Sequence, residues 1–341
     1  MAKQKKEKQK KNIWVRLGVA AAVLALLAAS VLLLLRLKPA GGSGELEEEW
    51  KTPDYLRSKT MNILVAGIDY DETREVANTD VILLVSVDLE GKKIAALQIP
   101  RDTYVGEDLV KYGKINGLYN WGFKDGDGDT GISVLAETIC DQFAITIDNY
   151  VTVDMAAFQT LVNMLGGVEV TLETQVTLFN DTVLEPGTHV LDGETAEWFV
   201  RNRDYRLADI DRLKMQRVFF GGLLNKLFTT PRMELLSLIT AVYEYMETDL
   251  TVQEMLELAL TAQGFSASDI TIIRTPGEPV AAYGIYGLDV WTLHKAELAD
   301  ILNTYMRPYT DAVPAEELGA IELQNTTSVL NDEGAQMDDY T

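Results

Sequence analysis

The sequence predicts an α/β fold held outside a membrane by one spanning helix. Three observations predict it. Short runs rich in Val, Ile and Leu, the length of buried strands, recur along the chain. Stretches with helical spacing lie between them, so strands and helices alternate. Ahead of both, Leu17 to Leu35 is a nineteen-residue run without a charge, long enough to cross a bilayer as a helix.

That run has Lys3, Lys5, Lys6, Lys8, Lys10 and Lys11 before it, as the positive-inside rule requires of a cytoplasmic end. Trp14 and Arg16 mark one interface, Arg36 and Lys38 the other. A cleaved signal peptide has the same layout, and Ala28-Ala29-Ser30 offers small residues, but the apolar run exceeds a usual signal core. The reading is a cytoplasmic basic tail at 1–12, a membrane helix at 13–37, an extracytoplasmic linker at 38–60, a folded domain at 61–310 and an acidic, disordered tail at 311–341. Cys140 is the single cysteine, which excludes an internal disulfide, and it lies far from any lipid-attachment position.

The 341-residue chain has a formal charge of -22. Its first 38 residues hold nine cations and one acid, so the rest carries 21 cations against 51 acids, a net of -30. Nucleic-acid phosphates would be repelled by that excess, which excludes a nucleic acid as partner.

Within the domain, Asn62 to Ile68 and Val81 to Val87 read as buried strands with a polar loop, Asp69 to Asp80, between them. Leu89 to Lys92 is a turn into a third strand, Lys93 to Ile99, which Pro100 stops, leaving Arg101 and Asp102 just past a strand end. Gly131 to Gln142 and Met155 to Leu165 have helical spacing. Gly166-Gly167 ends the second before a strand at Val168 to Leu172. Asp192-Gly193 opens a short helix. Leu213 to Phe228 is a helix whose Gly221 and Gly222 allow a close approach. Helices follow at Met233 to Met246 and at Val252 to Gln263, the latter behind a Thr251 to Glu254 capping box. A strand at Asp269 to Arg274 and a helix at Val290 to Tyr305 complete the domain.

Trp198 to Arg217 is the local exception to the acidic charge, with six cations in twenty residues. If Phe199 to Asp204 is extended, Arg201 and Arg203 share a face, while Arg212 and Gln216 lie one turn apart on a helix starting after Asp209. Guanidinium forks match phosphate oxygens, which points to a phosphate ligand. Ion pairing with Asp204, Asp209 and Asp211 explains the same clustering. Asp69 and Asp80 flank one loop and suit magnesium, which commonly takes one or two carboxylates plus substrate phosphates; loop capping by Asp fits equally. Asp125 to Asp129 lacks the glycine and the final glutamate of a calcium loop and reads as a turn. His189 and His294 stand alone, and no GxSxG, GxGxxG or Walker motif is present.

Several ordered motifs together resemble the LytR-CpsA-Psr proteins, which attach glycopolymers to the bacterial cell wall. They are Leu64 to Asp69 (LVAGID), Asn78-Thr-Asp80, Gln98 to Thr103 (QIPRDT), Lys114-Ile-Asn116, Leu165 to Val168 (LGGV), Leu191-Asp-Gly193, Val200 to Arg203 (VRNR), and Asp209-Ile-Asp-Arg212 with Gln216. The resemblance spans roughly Met61 to Lys226 and extends more weakly to Tyr305. It implies three α/β/α layers around a central mixed sheet, and a long apolar pocket for a polyprenyl chain, with walls expected at Val218 to Phe228 and Ala156 to Leu165. It also implies Mg²⁺ on Asp69 and Asp80. Arg101, Asp209 and Arg212 would be the catalytic set, and Arg201, Arg203, Gln216 and Lys114 would hold the substrate phosphates.

The implied reaction moves a glycopolymer, as a phosphosugar, from a polyprenyl pyrophosphate carrier to a peptidoglycan hydroxyl at the outer membrane face. A polyprenyl-phosphate sensor that only binds, and a pyrophosphate hydrolase, use the same residues. The chain departs from the family pattern at Asn78 and Met215, where arginines are common. Arg74 lies in the same loop as Asn78.

Overall fold

The computed structural model describes residue 46 and residues 48–71, 76–122, 128–202, 209–265, 267–323 and 335–336. The tail at 1–12 and the expected membrane helix at 13–37 lie outside these. Among the described residues, no helix is long and apolar enough to cross a membrane.

After a short helix, α1 (Asp54–Arg57), the chain forms a long antiparallel hairpin from β1 (Thr60–Asp71) and β2 (Val76–Asp88), followed by β3 (Lys93–Gln98). Two helices, α2 (Leu118–Gly122) and α3 (Gly128–Phe143), lead to β4 (Asn149–Val153), which runs parallel to β1. Then come α4 (Met155–Met164), β5 (Val168–Leu172), β6 (Val176–Thr177), β7 (Val183–Leu184) and β8 (Gly187–Leu191). The helices α5 (Gly193–Arg201), α6 (Asp209–Thr229) and α7 (Arg232–Tyr243) precede β9 (Met246–Thr248), α8 (Val252–Ala262) and β10 (Ile270–Arg274). The hairpin β11 (Gly277–Tyr283) and β12 (Leu288–Leu293), α9 (Lys295–Ile301) and β13 (Ala335–Gln336) complete the order.

Seven strands make one mixed sheet in the order β13-β10-β3-β2-β1-β4-β9. Alternation along the strands gives its two faces different fates. Leu64, Ala66, Ile82, Leu84, Leu97 and Tyr150 are 0% exposed, packed in one cluster with residues of α2, α3 and α9. On the opposite face, Ile63, Leu83 and Val151 retain 8–9% exposure and Met61, Val65, Val85 and Val153 are half-buried. Leu161 of α4, Leu224 and Phe228 of α6, Val242 of α7 and Leu258 of α8 pack against that face or beside it. One layer is sealed; the other is apolar but looser. The glycine at 222 sets how closely α6 lies on β5, since a Cβ there would stand 2.1 Å from the Glu169 carbonyl oxygen.

The Thr251 capping box forms, with Glu254 answering the Thr251 backbone. Three expectations are corrected. Val290 to Leu293 is strand, not helix. Val, Trp and Thr there pair with β11, and the helix begins only at Lys295. The expected linker packs in part, because Leu46 and Leu56 are buried and Thr52 donates through its amide and hydroxyl to Asp148 at 2.8 and 2.9 Å. Burial pushes the Asp148 carboxyl up, against the lowering by Asn62 and Thr52. The expected disordered tail is also packed at its start, where Leu318, Ala320 and Leu323 are buried and the Ala320 amide donates to the Gln142 carbonyl at 2.9 Å. In both segments a few apolar residues spaced along polar chain were enough to dock it, and charge composition hides them.

Candidate active site

Charged residues from four elements meet where β1 and β3 end and β2 begins. Asp69 lies near the end of β1. On β2 the register slips: Gly67 faces Val81 while Ile68 faces Thr79, so Asp80 is the extra residue of a β-bulge. A bulge leaves its residue outside the ladder and re-aims its side chain, which frees the Asp80 carboxylate to turn toward the next strand. Arg101, just beyond Pro100, meets it at 2.8 Å from Nη1 to Oδ1. The Asp69 to Asp80 segment, expected as a loop, is therefore mostly hairpin, with Asp69 paired to Asn78 and Asp80 at the bulge.

Arg201 arrives from the other side. Asp192 caps α5 by accepting from the Thr195 amide at 2.9 Å, and Ala196, Phe199 and Val200 are buried at helical spacing. The extended reading of Phe199 to Asp204 is thus corrected for its first three residues, and a strand face does not align Arg201 with Arg203. Instead Arg201 bonds Glu197, one turn earlier, at 2.7 Å and Asp69 at 3.2 Å. Burial works against the charge of Arg201, but Glu197, Asp69 and Asp80 outweigh it and raise its pKa. Asp80 thus lies close enough to act on both arginines.

Beneath this cluster is a buried polar chain. Gln216 is 2% exposed; its amide donates to the Val200 carbonyl at 3.0 Å and accepts from Gln98 at 3.0 Å. Arg217 donates to the other side of Gln98 at 3.1 Å. Gln216, expected to hold phosphate, here ties α6 to β3 and to the last turn of α5. Arg212 is 3% exposed one turn before it. Lys114 bonds Asp102 at 2.7 Å, and Asp102 stands 3.6 Å from Arg101 Nε, so Lys114 belongs to the rim beside Arg101.

Arg203, Arg74 and the Asp209 side chain lie outside the described residues. Sequence reasoning missed Gln98, Arg217 and Glu197. Gln98 is the one amide in a strand of otherwise apolar residues after Lys93, and Glu197 stands four before Arg201; both were signals. Among the described residues, no group of three or more His, Cys, Asp or Glu stands ready to hold a metal. The protein's own donors for a cation here are two carboxylates. Larger cavities, about 340 and 290 Å³, flank Lys226 near the far end of α6, roughly 20 Å of helix from Arg212. The charged cluster thus stands apart from these cavities.

Comparisons with known proteins bear on the family and the fold. The model of the LytR_cpsA_psr family matches residues 41–307. A polyisoprenyl-teichoic acid--peptidoglycan teichoic acid transferase TagU of Halalkalibacterium halodurans is 30% identical over 242 residues, covering 69% of this chain and 75% of that protein. The cell wall biosynthesis protein LcpA of Corynebacterium glutamicum is 26% identical over 296 residues, 78% of this chain, which spans about half (54%) of that relative's length. In fold, the crystal structure of B. subtilis TagV superposes with a TM-score of 0.63 at 24% identity, covering 76% of this chain and 100% of that one. The structure described as TagT bound to LIIa-WTA gives 0.62 at 22% identity, covering 79% and 99%.

Proposed function

This chain belongs to the LytR-CpsA-Psr family, and from that premise and its charged cluster we propose that it transfers a glycopolymer, as a phosphosugar, from a polyprenyl pyrophosphate to a hydroxyl of peptidoglycan. The observation that carries the proposal is the meeting of Asp69 and Asp80 with Arg201 and Arg101. Phosphoryl transfer asks the protein for positioning and for neutralisation of charge, and little covalent chemistry.

The cluster fits magnesium. Its two aspartates offer hard oxygen donors, two being the number magnesium commonly takes when substrate phosphates supply the rest. Without the cation the two acids and two arginines cancel in charge. Asp69 and Asp80 would hold it, and Arg201 Nη2 and Arg101 Nη1, which now bond them, would turn to phosphate oxygens. Bound there, Mg²⁺ supplies charge neutralisation at the diphosphate.

The remaining work falls to the chain. Arg201 and Arg101 orient the diphosphate from opposite sides, and Arg203, Arg212 and Lys114 add positive charge around it. Gln98, Gln216 and Arg217 hold α6 in place. The acceptor oxygen bonds the phosphorus next to the sugar, the bridging P–O bond breaks, polyprenyl phosphate leaves, and the hydroxyl proton passes to water. The sheet face under α4, α6, α7 and α8 is apolar and not wholly sealed, which supports the lipid part of the reading. The apolar run at 17–35 would anchor the domain at the membrane where the carrier lies, with residues 1–12 in the cytoplasm.

Titrating magnesium against full-length wild type and Asp80→Ala tests the site. The variant should lose magnesium-dependent turnover while donor affinity falls less. An identical activity curve for both proteins would remove Asp80 as a ligand.

A further inference from the structure

On the other face of the same sheet end lies a groove of about 260 Å³, lined by residues that include Ile68, Tyr119, Asp154, Glu244, Tyr245 and Glu247. We propose that this groove is the acceptor subsite, seating one sugar of a glycan strand whose hydroxyl is carried over the end of β1 to the phosphorus held beside Asp69 and Asp80. The proposal rests on the transferase reading above and adds where the second substrate sits.

Placement comes first. Ile68 lines the groove, and its neighbour Asp69 is one strand residue on, about 3.3 Å along β1 and turned to the opposite face. The groove and the charged cluster thus share one strand end. Thr152 of β4 and Glu247 of β9 are cross-strand partners, so the groove follows the outermost pair of the sheet, where an extended chain can lie against it.

Chemistry comes second. None of the residues lining the groove is basic, and three are acidic. A diphosphate is repelled there and drawn to the arginines, whereas a glycan presents O–H and N–H groups from which carboxylates can accept. Charge alone then sorts the two substrates to two sides of one strand. Tyr245 is 49% exposed, and its ring gives a flat apolar surface for the C–H face of a sugar, with its hydroxyl at the wet end.

Rigidity comes third. Glu247 accepts from the buried Tyr119 hydroxyl at 3.1 Å, and its backbone is held by Thr152 through two contacts of 3.3 Å. The carboxylate is therefore fixed before any ligand arrives, which lowers the ordering cost of binding. The volume falls just under the roughly 300–1,000 Å³ of pockets that engulf a whole ligand, as suits one ring of a longer strand.

The test measures binding alone, on full-length protein in detergent, with a soluble peptidoglycan tetrasaccharide as one probe and a short-chain polyprenyl pyrophosphate as the other. Glu244→Gln combined with Tyr245→Ala should weaken the tetrasaccharide at least tenfold and leave the lipid probe within twofold. Should the pair fail to fold, Tyr245→Ala alone, at a half-exposed position, carries the same expectation. Unchanged tetrasaccharide affinity, no saturable tetrasaccharide binding by wild type, or a parallel loss of both probes overturns the proposal. Because no turnover is read, a failure of the transferase reading would show separately, as groove binding without transfer.

Discussion

Arg201 shows how a residue singled out from the sequence can have its geometry read wrongly. The cluster of cations pointed to a phosphate ligand, and the period of two assigned Arg201 a strand neighbour. The structure gives it helix neighbours instead, and its partners Glu197 and Asp69 come from four residues before and from another element. That difference makes a prediction. The Arg201 side chain is 37% exposed and that of Asp69 36%, and ion pairs so open to water contribute about 0–1 kcal/mol to folding. A charged hydrogen bond to a bound phosphate is instead worth about 1.5–3 kcal/mol. Arg201→Ala should therefore weaken polyprenyl pyrophosphate binding at least tenfold with little change in melting temperature. A large loss of stability with affinity intact in the folded fraction would make the pairing structural.

Among the elements, β1, β2, β3, β5 and β10 and the helices α4, α6 and α8 were legible because their apolar runs and caps act locally. β9, β11 and β12 were not, since each is made by a partner strand distant in sequence and carries little local signal. The same holds for contacts between elements. Gln98 is an ordinary polar strand end until α6 brings Gln216 and Arg217 onto it. Gln98→Leu should leave both groups buried and short of one partner, at about 1–3 kcal/mol each. Thermal unfolding should show that loss, and turnover should fall with it because Arg212 rides on the same helix. A variant as stable and active as wild type would reduce Gln98 to a bystander.

At the scale of the whole molecule, an α/β fold was readable from the alternation of periods, and the central mixed sheet from the resemblance that the ordered motifs carry. The bulge that turns Asp80 toward Arg101 was not, because one extra residue in a ladder leaves no pattern in composition. That small irregularity joins β1, β2, β3 and α5 into a centre where two acids and two arginines face one another across a sheet end. On the proposed reading, that centre takes an anionic donor on its arginine side and a glycan on the acidic side, over an apolar layer, as a transferase between a lipid carrier and a polymer would. The most direct measurement follows a label. Full-length protein, magnesium, a polyprenyl pyrophosphate carrying a ³²P-labelled saccharide phosphate, and peptidoglycan are incubated, and the label is traced. The account predicts label covalently attached to peptidoglycan, with polyprenyl monophosphate released in equal amount. Label recovered only as free saccharide phosphate, or left entirely on the lipid, would contradict it.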